Sequence, residues 1–244
     1  MTYATFLLVF LVPPIVLLAL WRRPVYSVRP SRQAWWGIPM LCLIALVYTT
    51  PWDNYLVSQA VWGYPPGRVI GTIGYVPIEE YCFFILQPIM TGLYLYRTEG
   101  PRLYVDRPTP SRDRSQIIGL IGSAVVTLVG IWQVLDDGHG RYMGLMVAWV
   151  GPVWMLLTGI GGDYLWAHRG AFLRAVAVPT LYLCLADTYA IYDGIWYISL
   201  EHTYPLKLGG ILPIEEAVFF LLTNSMVCAG LLLWLTLPFR RLLP

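Results

Sequence analysis

The chain predicts an all-α integral membrane protein with about seven transmembrane helices arranged as a 3+1+3 parallel internal repeat. Three observations carry that expectation: an apolar composition, a one-sided distribution of basic residues, and two nearly identical acidic stretches. Of 244 residues, 57% are hydrophobic and only 12% charged, with a mean hydropathy of +0.61. Soluble domains carry about 25% charged residues.

A bilayer core takes about 20 apolar residues per helix. Runs of that kind occupy 3–20, 35–50, 77–96, 117–135, 144–160, 172–190 and 213–237. The first run lacks preceding basic residues and a small-residue cleavage site, and Trp21, Arg22 and Arg23 follow it directly, so it reads as a retained helix rather than a cleaved leader. When the runs are threaded alternately through a membrane, one side receives Arg22, Arg23, Arg29, Arg32, Arg97, Arg102, Arg107, Arg112, Arg114, Arg169, Arg174, Arg240 and Arg241. The other keeps only Arg68, Arg141 and Lys207 of the 16 Lys and Arg. The positive-inside rule then predicts an extracytoplasmic N-terminus and a cytoplasmic C-terminus in a multi-pass cell-membrane protein. The Arg-rich stretch 97–114 reads as a cytoplasmic linker touching anionic lipid headgroups and not as a nucleic-acid patch. Cys42, Cys82, Cys184 and Cys228 lie inside apolar runs without metal-type spacing and read as small core residues.

The repeat is visible residue by residue. Asp53-x-Tyr55 followed by Trp62 matches Asp187-x-Tyr189 followed by Trp196 at an offset of 134. Gly74, Pro77, Glu79, Glu80, Phe83 and Phe84 match Gly210, Pro213, Glu215, Glu216, Phe219 and Phe220 at an offset of 136. The unit is three helices, with a fourth joining the copies, so both units share one orientation. The domain reading is therefore 1–96, a first repeat with PWDNY and PIEE; 97–135, a basic cytoplasmic linker and connecting helix; and 136–244, a second repeat with DTY and PIEE. Both motif copies are expected on one membrane side, with Asp53 and Asp187 ending their helices and the glutamates opening theirs.

Proline followed by glutamate is an ordinary way to begin a helix, and that alone accounts for one acid per copy. Glu79-Glu80 and Glu215-Glu216, each with an Asp nearby, form a surplus without basic partners. Like charges crowded in a partly dehydrated site cannot all ionise, so at least one carboxyl should retain a proton. Such a group can protonate an alkene, and the resulting carbocation is stabilised by π faces. Tyr55, Trp62, Tyr189, Trp196, Phe83, Phe84, Phe219 and Phe220 supply them, with Asn54 beside Asp53. Trp and Tyr also gather at membrane interfaces whatever the function; the matching intervals set these apart from an aromatic belt.

Other chemistry finds little support. No dinucleotide fingerprint or phosphate loop is present, and "TGIGGDYLW" at 158–166 reads as a short loop between helices. His139, His168 and His202 stand singly, with no metal-ligand motif. Asp136 and Asp137 could bind a cation, though "DDGHG" is more ordinarily a polar turn.

At these residues the chain resembles the membrane-embedded lycopene cyclases of the heterodimer type, whose two small subunits are fused in some archaea, bacteria and fungi. The matching elements are "PWDNYLV" at Pro51, "YVPIEEYCFF" at Tyr75, "DTYAIYDGIWYIS" at Asp187 and "LPIEEAVFFLLTN" at Leu212, covering both halves of the chain. The resemblance implies a carotenoid β-cyclase, an isomerase that needs no cofactor. It would convert the linear ends of lycopene to β-ionone rings by protonation, ring closure and proton loss, giving γ-carotene and then β-carotene. The catalytic set would come from Glu79, Glu80, Glu215, Glu216, Asp53 and Asp187. Partners implied are the carotenoid within the bilayer, membrane lipid, and other enzymes of carotenoid synthesis. Relatives that close longer C50 carotenoids to ε or γ rings are an alternative product class. A different class, a small-solute transporter, shares the 3+1+3 plan but needs polar groups near the bilayer midplane, whereas helices three and seven are apolar past their first turn apart from Gln87 and Asn224, with the acids gathered at one end.

Overall fold

The computed structural model describes residues 1–103, 112–136 and 138–238. Asp137, Arg107, Arg240 and Arg241, and the side chain of Arg112, lie outside what is described. Seven long helices account for most of the described chain: α1 Tyr3–Leu20, α2 Ser31–Ser58, α3 Ile78–Thr98, α4 Arg112–Leu135, α5 Arg141–Ala167, α6 Arg169–Tyr192 and α7 Ile214–Thr236. All but α3 are long and apolar enough to cross a membrane. Helix α3 has 21 residues, about 30 Å at 1.5 Å per residue, enough for the hydrocarbon core. Its lower hydropathy reflects its position at the centre of the bundle, where it packs against α1, α2, α6 and α7 and faces protein instead of lipid.

Local departures from straight helices have identifiable causes. In α1 a π-helical turn, Leu7–Leu11, precedes Pro13 and Pro14, which cannot donate to the ladder. Helix α2 runs on past Pro51, so Asp53, Asn54 and Tyr55 sit in its last turns and not at the expected end near residue 50. The stretch 158–166, expected as a loop, belongs to α5 with a kink at Gly161 (φ −155°, ψ 38°). A Cβ there would lie 2.4 Å from Leu233 Cδ2, so the glycine admits α7 against the kink.

Helices α4 and α5 form a close antiparallel pair. A Cβ on Gly130 would meet the Ala148 nitrogen at 2.6 Å, and one on Gly151 would overlap Thr127; small residues let the two backbones approach, as membrane helix interfaces require. Near the bundle centre, Asn224 Oδ1 accepts from Gln87 Nε2 and from Thr91 Oγ1, each at 2.6 Å, and Asn224 Nδ2 donates to Thr180 Oγ1 at 3.1 Å. This network ties α3, α6 and α7 together and leaves the polar amides occupied.

Three two-stranded ribbons close one end of the bundle. β2 (Thr72–Ile73) pairs with β3 (Val76–Pro77), and β5 (Lys207–Leu208) pairs with β6 (Leu212–Pro213), each antiparallel. Gly74 (φ +68°) and Gly209 and Gly210 (φ +57° and +75°) make the respective turns. β1 (Trp62–Gly63) pairs with β4 (Tyr197–Ile198), with Gly63 opposite Tyr197. That ribbon joins the loop after α2 to the loop after α6.

Candidate active site

Each Pro-x-Glu-Glu stretch is built in the same way. Pro77 and Pro213 end a hairpin strand in extended conformation and stand immediately before the first helical residue. The freed helix-start amides turn back on the hairpin: Ile78 N donates to Gly71 O at 2.9 Å, and Ile214 N to Leu206 O at 3.0 Å. The first glutamate of each pair does the same through its side chain. Glu79 Oε1 accepts from Ile70 N at 2.9 Å, and Glu215 Oε1 from Tyr204 N at 2.7 Å. The two carboxyls are buried, at 3% and 0% exposure, and hold the incoming loops.

The next residue points about 100° around the helix, and there the two glutamates meet. Glu80 and Glu216 line a single cavity together with Asp53 and Asp187. Its walls include Phe6, Trp62, Phe83, Leu183, Trp196, Ile198, Phe219 and Phe220. The rings are set by mutual packing: Phe6 and Trp196 meet edge to face at 5.1 Å, and Phe83 and Phe220 at 6.3 Å. An apolar, aromatic chamber with four carboxyls is suited to giving a proton to a hydrocarbon and stabilising the resulting cation.

The four carboxyls differ in their hydrogen bonds. Glu80 Oε2 accepts from the hydroxyls of Tyr3 at 2.7 Å and Tyr64 at 2.8 Å. Asp187 Oδ1 accepts from the Trp196 indole at 2.8 Å. The Tyr142 hydroxyl lies beside Glu216. Asp53 Oδ2, Asp187 Oδ2 and Glu216 Oε1 are buried with no hydrogen-bond partner. Burial raises the Tyr64 hydroxyl well above the ordinary phenol range, and the facing carboxyl of Glu80 adds to the shift, so Tyr64 stays a hydrogen-bond donor.

The cavity thus gathers Asp53, Glu80, Asp187, Glu216, Trp62, Trp196, Phe83, Phe219 and Phe220. It does not gather the rest of the sequence-derived set. Tyr55 and Tyr189 face outward, at 44% and 39% exposure; Tyr55 meets Arg141 and Tyr189 packs on Phe10. Phe84 is buried in the core against Tyr81. Asn54 braces the β2–β3 hairpin, accepting from Tyr75 N at 3.0 Å and donating to the Tyr81 hydroxyl at 3.1 Å.

Three tyrosines of the cavity, Tyr3, Tyr64 and Tyr142, went unnoticed in the sequence. Tyr3 and Tyr142 had a usable signal, since each stands in the first turn of the helix that opens its half. Tyr64 had none: its repeat partner is Ile198, which also lines the cavity. Among the described residues no group of three or more His, Cys, Asp or Glu is arranged to hold a metal ion.

No protein-family model and no solved structure matches the chain. Among curated proteins, it is 40% identical over 237 residues to the lycopene beta-cyclase of Halobacterium salinarum, spanning 96% of this chain and 95% of that one. It is 34% identical over 235 residues to the bifunctional lycopene cyclase/phytoene synthase of Gibberella fujikuroi, which it covers over 39% of that protein's length, and 32% identical over 232 residues to the protein of the same description from Phycomyces blakesleeanus. With such identity across nearly the whole of the archaeal relative, the chain belongs to the lycopene cyclase family.

Proposed function

We propose that the chain is a lycopene β-cyclase, closing the linear ends of lycopene to β-ionone rings within the bilayer without a cofactor. The observation that carries the reading is the convergence of Asp53, Glu80, Asp187 and Glu216 on one aromatic cavity. A neutral carboxyl transfers its proton to the terminal alkene; a C–H bond forms as the O–H bond breaks. The π pair of the neighbouring double bond closes the ring onto the cationic carbon. A ring C–H then gives its proton to a carboxylate, and its electron pair becomes the ring double bond. No electrons leave the substrate, so the reaction is an isomerisation. Trp62, Trp196, Phe83, Phe219 and Phe220 offer π faces to the cation. Glu79 and Glu215 are assigned to the loops instead of the substrate, a reading supported by their hydrogen bonds to Ile70 N and Tyr204 N.

The proposed architecture is a 3+1+3 parallel repeat with units 1–96 and 136–244 joined by 97–135. It is supported by the paired hairpins, by the matched Glu79 and Glu215 bonds, and by Tyr3 and Tyr142 beside equivalent carboxyls. The N-terminus and the cavity are proposed to be extracytoplasmic, on the strength of the basic-residue asymmetry, with the Arg-rich face against anionic lipid. Fusion of a cyclase with a phytoene synthase in the fungal relatives supports association with other carotenoid-making enzymes. The transporter reading is disfavoured because Gln87, Thr91, Thr180 and Asn224 bond to one another.

The test is expression in cells that accumulate lycopene, with pigment analysis of wild type and of Glu80→Gln and Glu216→Gln at matched protein levels. Cyclic carotene is expected from wild type and is lost in both variants. A wild type that leaves lycopene linear would overturn the reading.

A further inference from the structure

Glu80 and its repeat partner Glu216 occupy equivalent helix positions but unlike surroundings. Glu80 receives two phenol hydroxyls on one oxygen, and both phenols are fixed in place. The rings of Tyr3 and Tyr64 stack with centroids 6.0 Å apart and planes 16° apart. Tyr3 is 2% exposed, and its backbone nitrogen donates to Arg68 O at 2.8 Å. Arg68 in turn donates to Met1 O and to Asp193 O, each at 2.8 Å, so the start of α1 is tied to the loop before α3 and to the end of α6. On the second side, position 198 is isoleucine, and among the described residues Tyr142 is the phenol set against Glu216. Asp53, Asp187 and Glu216 each present a buried oxygen without a donor; Asp187 has the Trp196 indole on its other oxygen, and Asp53 lies in the field of Glu80 and Glu216.

A buried charge is costly unless hydrogen-bonded, so negative charge settles where donors are already aimed and a proton settles where they are not. Resting on the cyclase reading, we propose that Glu80, with Tyr3 and Tyr64 as positioning residues, is the base that takes the ring proton, and that the initiating proton is held between Asp53 and Glu216. The forward step breaks an O–H bond of the Asp53–Glu216 pair and makes a C–H bond at the alkene terminus. The closing step breaks a ring C–H bond, makes an O–H bond on Glu80 and leaves the electron pair as the ring double bond. Glu80 gives that proton to water and the Asp53–Glu216 pair takes one from water, which restores the resting enzyme. The Asp187 carboxyl, tied to Trp196, orients the ring that faces the cation.

Deuterium separates the two roles. The full-length protein in lipid vesicles is supplied with lycopene in D2O, and both recovered lycopene and cyclic product are weighed by mass spectrometry. Wild type should place one deuterium in each ring formed. Glu80→Gln should lower ring formation by about 10²-fold or more while recovered lycopene gains deuterium, because protonation persists and reverses. Asp53→Asn and Glu216→Gln should give neither rings nor label. Tyr3→Phe and Tyr64→Phe, which remove one oxygen each, should raise the ratio of labelled lycopene to rings; residues that serve packing alone leave that ratio at the wild-type value. Unlabelled lycopene from Glu80→Gln together with labelled lycopene from Asp53→Asn or Glu216→Gln overturns the assignment, as does an unchanged ratio in both tyrosine variants. Absence of rings from wild type overturns instead the cyclase reading on which it rests.

Discussion

The two glutamates of each Pro-x-Glu-Glu stretch should respond in opposite ways to the same substitution. Glu79 and Glu215 each accept one hydrogen bond from a loop amide, Ile70 N at 2.9 Å and Tyr204 N at 2.7 Å. A hydrogen bond to a charged group contributes about 1.5–3 kcal/mol and a neutral one about 0.5–1.5. Gln keeps a carbonyl oxygen at the same position, so Glu79→Gln and Glu215→Gln should cost about 1 kcal/mol of stability and leave cyclisation within a few-fold of wild type. Ala removes the acceptor, so Glu79→Ala and Glu215→Ala should cost about 1.5–3 kcal/mol, read as earlier thermal unfolding in detergent. Glu80→Gln and Glu216→Gln keep the shape but lose proton transfer, which accounts for about 10²–10⁴ in rate. The assay is conversion of lycopene in vesicles, normalised to folded protein. If Glu79→Gln or Glu215→Gln falls as far as Glu80→Gln, the division between loop anchor and cavity acid is wrong.

The polar network at the bundle centre gives a second expectation. Asn224→Leu strands Gln87 Nε2 and Thr91 Oγ1 and should lower thermal stability by about 1–3 kcal/mol, while Gln87→Leu combined with it should recover part of the loss. Gly74→Ala should destabilise by about 1–2 kcal/mol, because φ is +68° and the new Cβ would lie 2.3 Å from Asn54 Oδ1; Gly67→Ala also has positive φ but meets nothing, so the difference in melting between the two isolates the Asn54 clash. Asp193 is held below the ordinary carboxylate range, first by its hydrogen bond to the Met1 ammonium, with Arg68 adding to it. A lowered carboxyl contributes stability above its ordinary value, near 3.9, and loses it as pH falls through the folded value. Acidification below about pH 4 should therefore depress the melting of wild type more than that of Asp193→Asn.

Much of the fold was legible in the sequence because a bilayer leaves few options: apolar run length is imposed by the solvent, and the Pro-Glu starts by the needs of a helix N-terminus. Boundaries were less legible. The apolar run of α2 stops at residue 50, yet the helix continues through Pro51 to Ser58, since a bundle can re-satisfy the backbone groups a proline frees. The glycines of 158–166 suggested a loop, although one of them serves only to let Leu233 approach. The repeat pointed to the acid pairs and the tryptophans. It did not say which glutamate faces inward, because neighbouring residues on a helix diverge by about 100° and only the loop amides of Ile70 and Tyr204 fix the rotation. Tyr55 and Tyr189 shared the repeat too, yet they stand on α2 and α6 and face outward.

The ribbon of Trp62–Gly63 with Tyr197–Ile198 makes the chamber a joint possession. A Cβ on Gly63 would lie 2.5 Å from the Tyr197 hydroxyl, so the ring of one half lies over the bare backbone of the other. Either half expressed alone would carry one Asp and one Glu of the cavity toward lipid with no opposing wall. On the proposed division into two units, the chamber forms only where they meet at this clasp, so their mating is what takes the carboxyls out of contact with lipid and water.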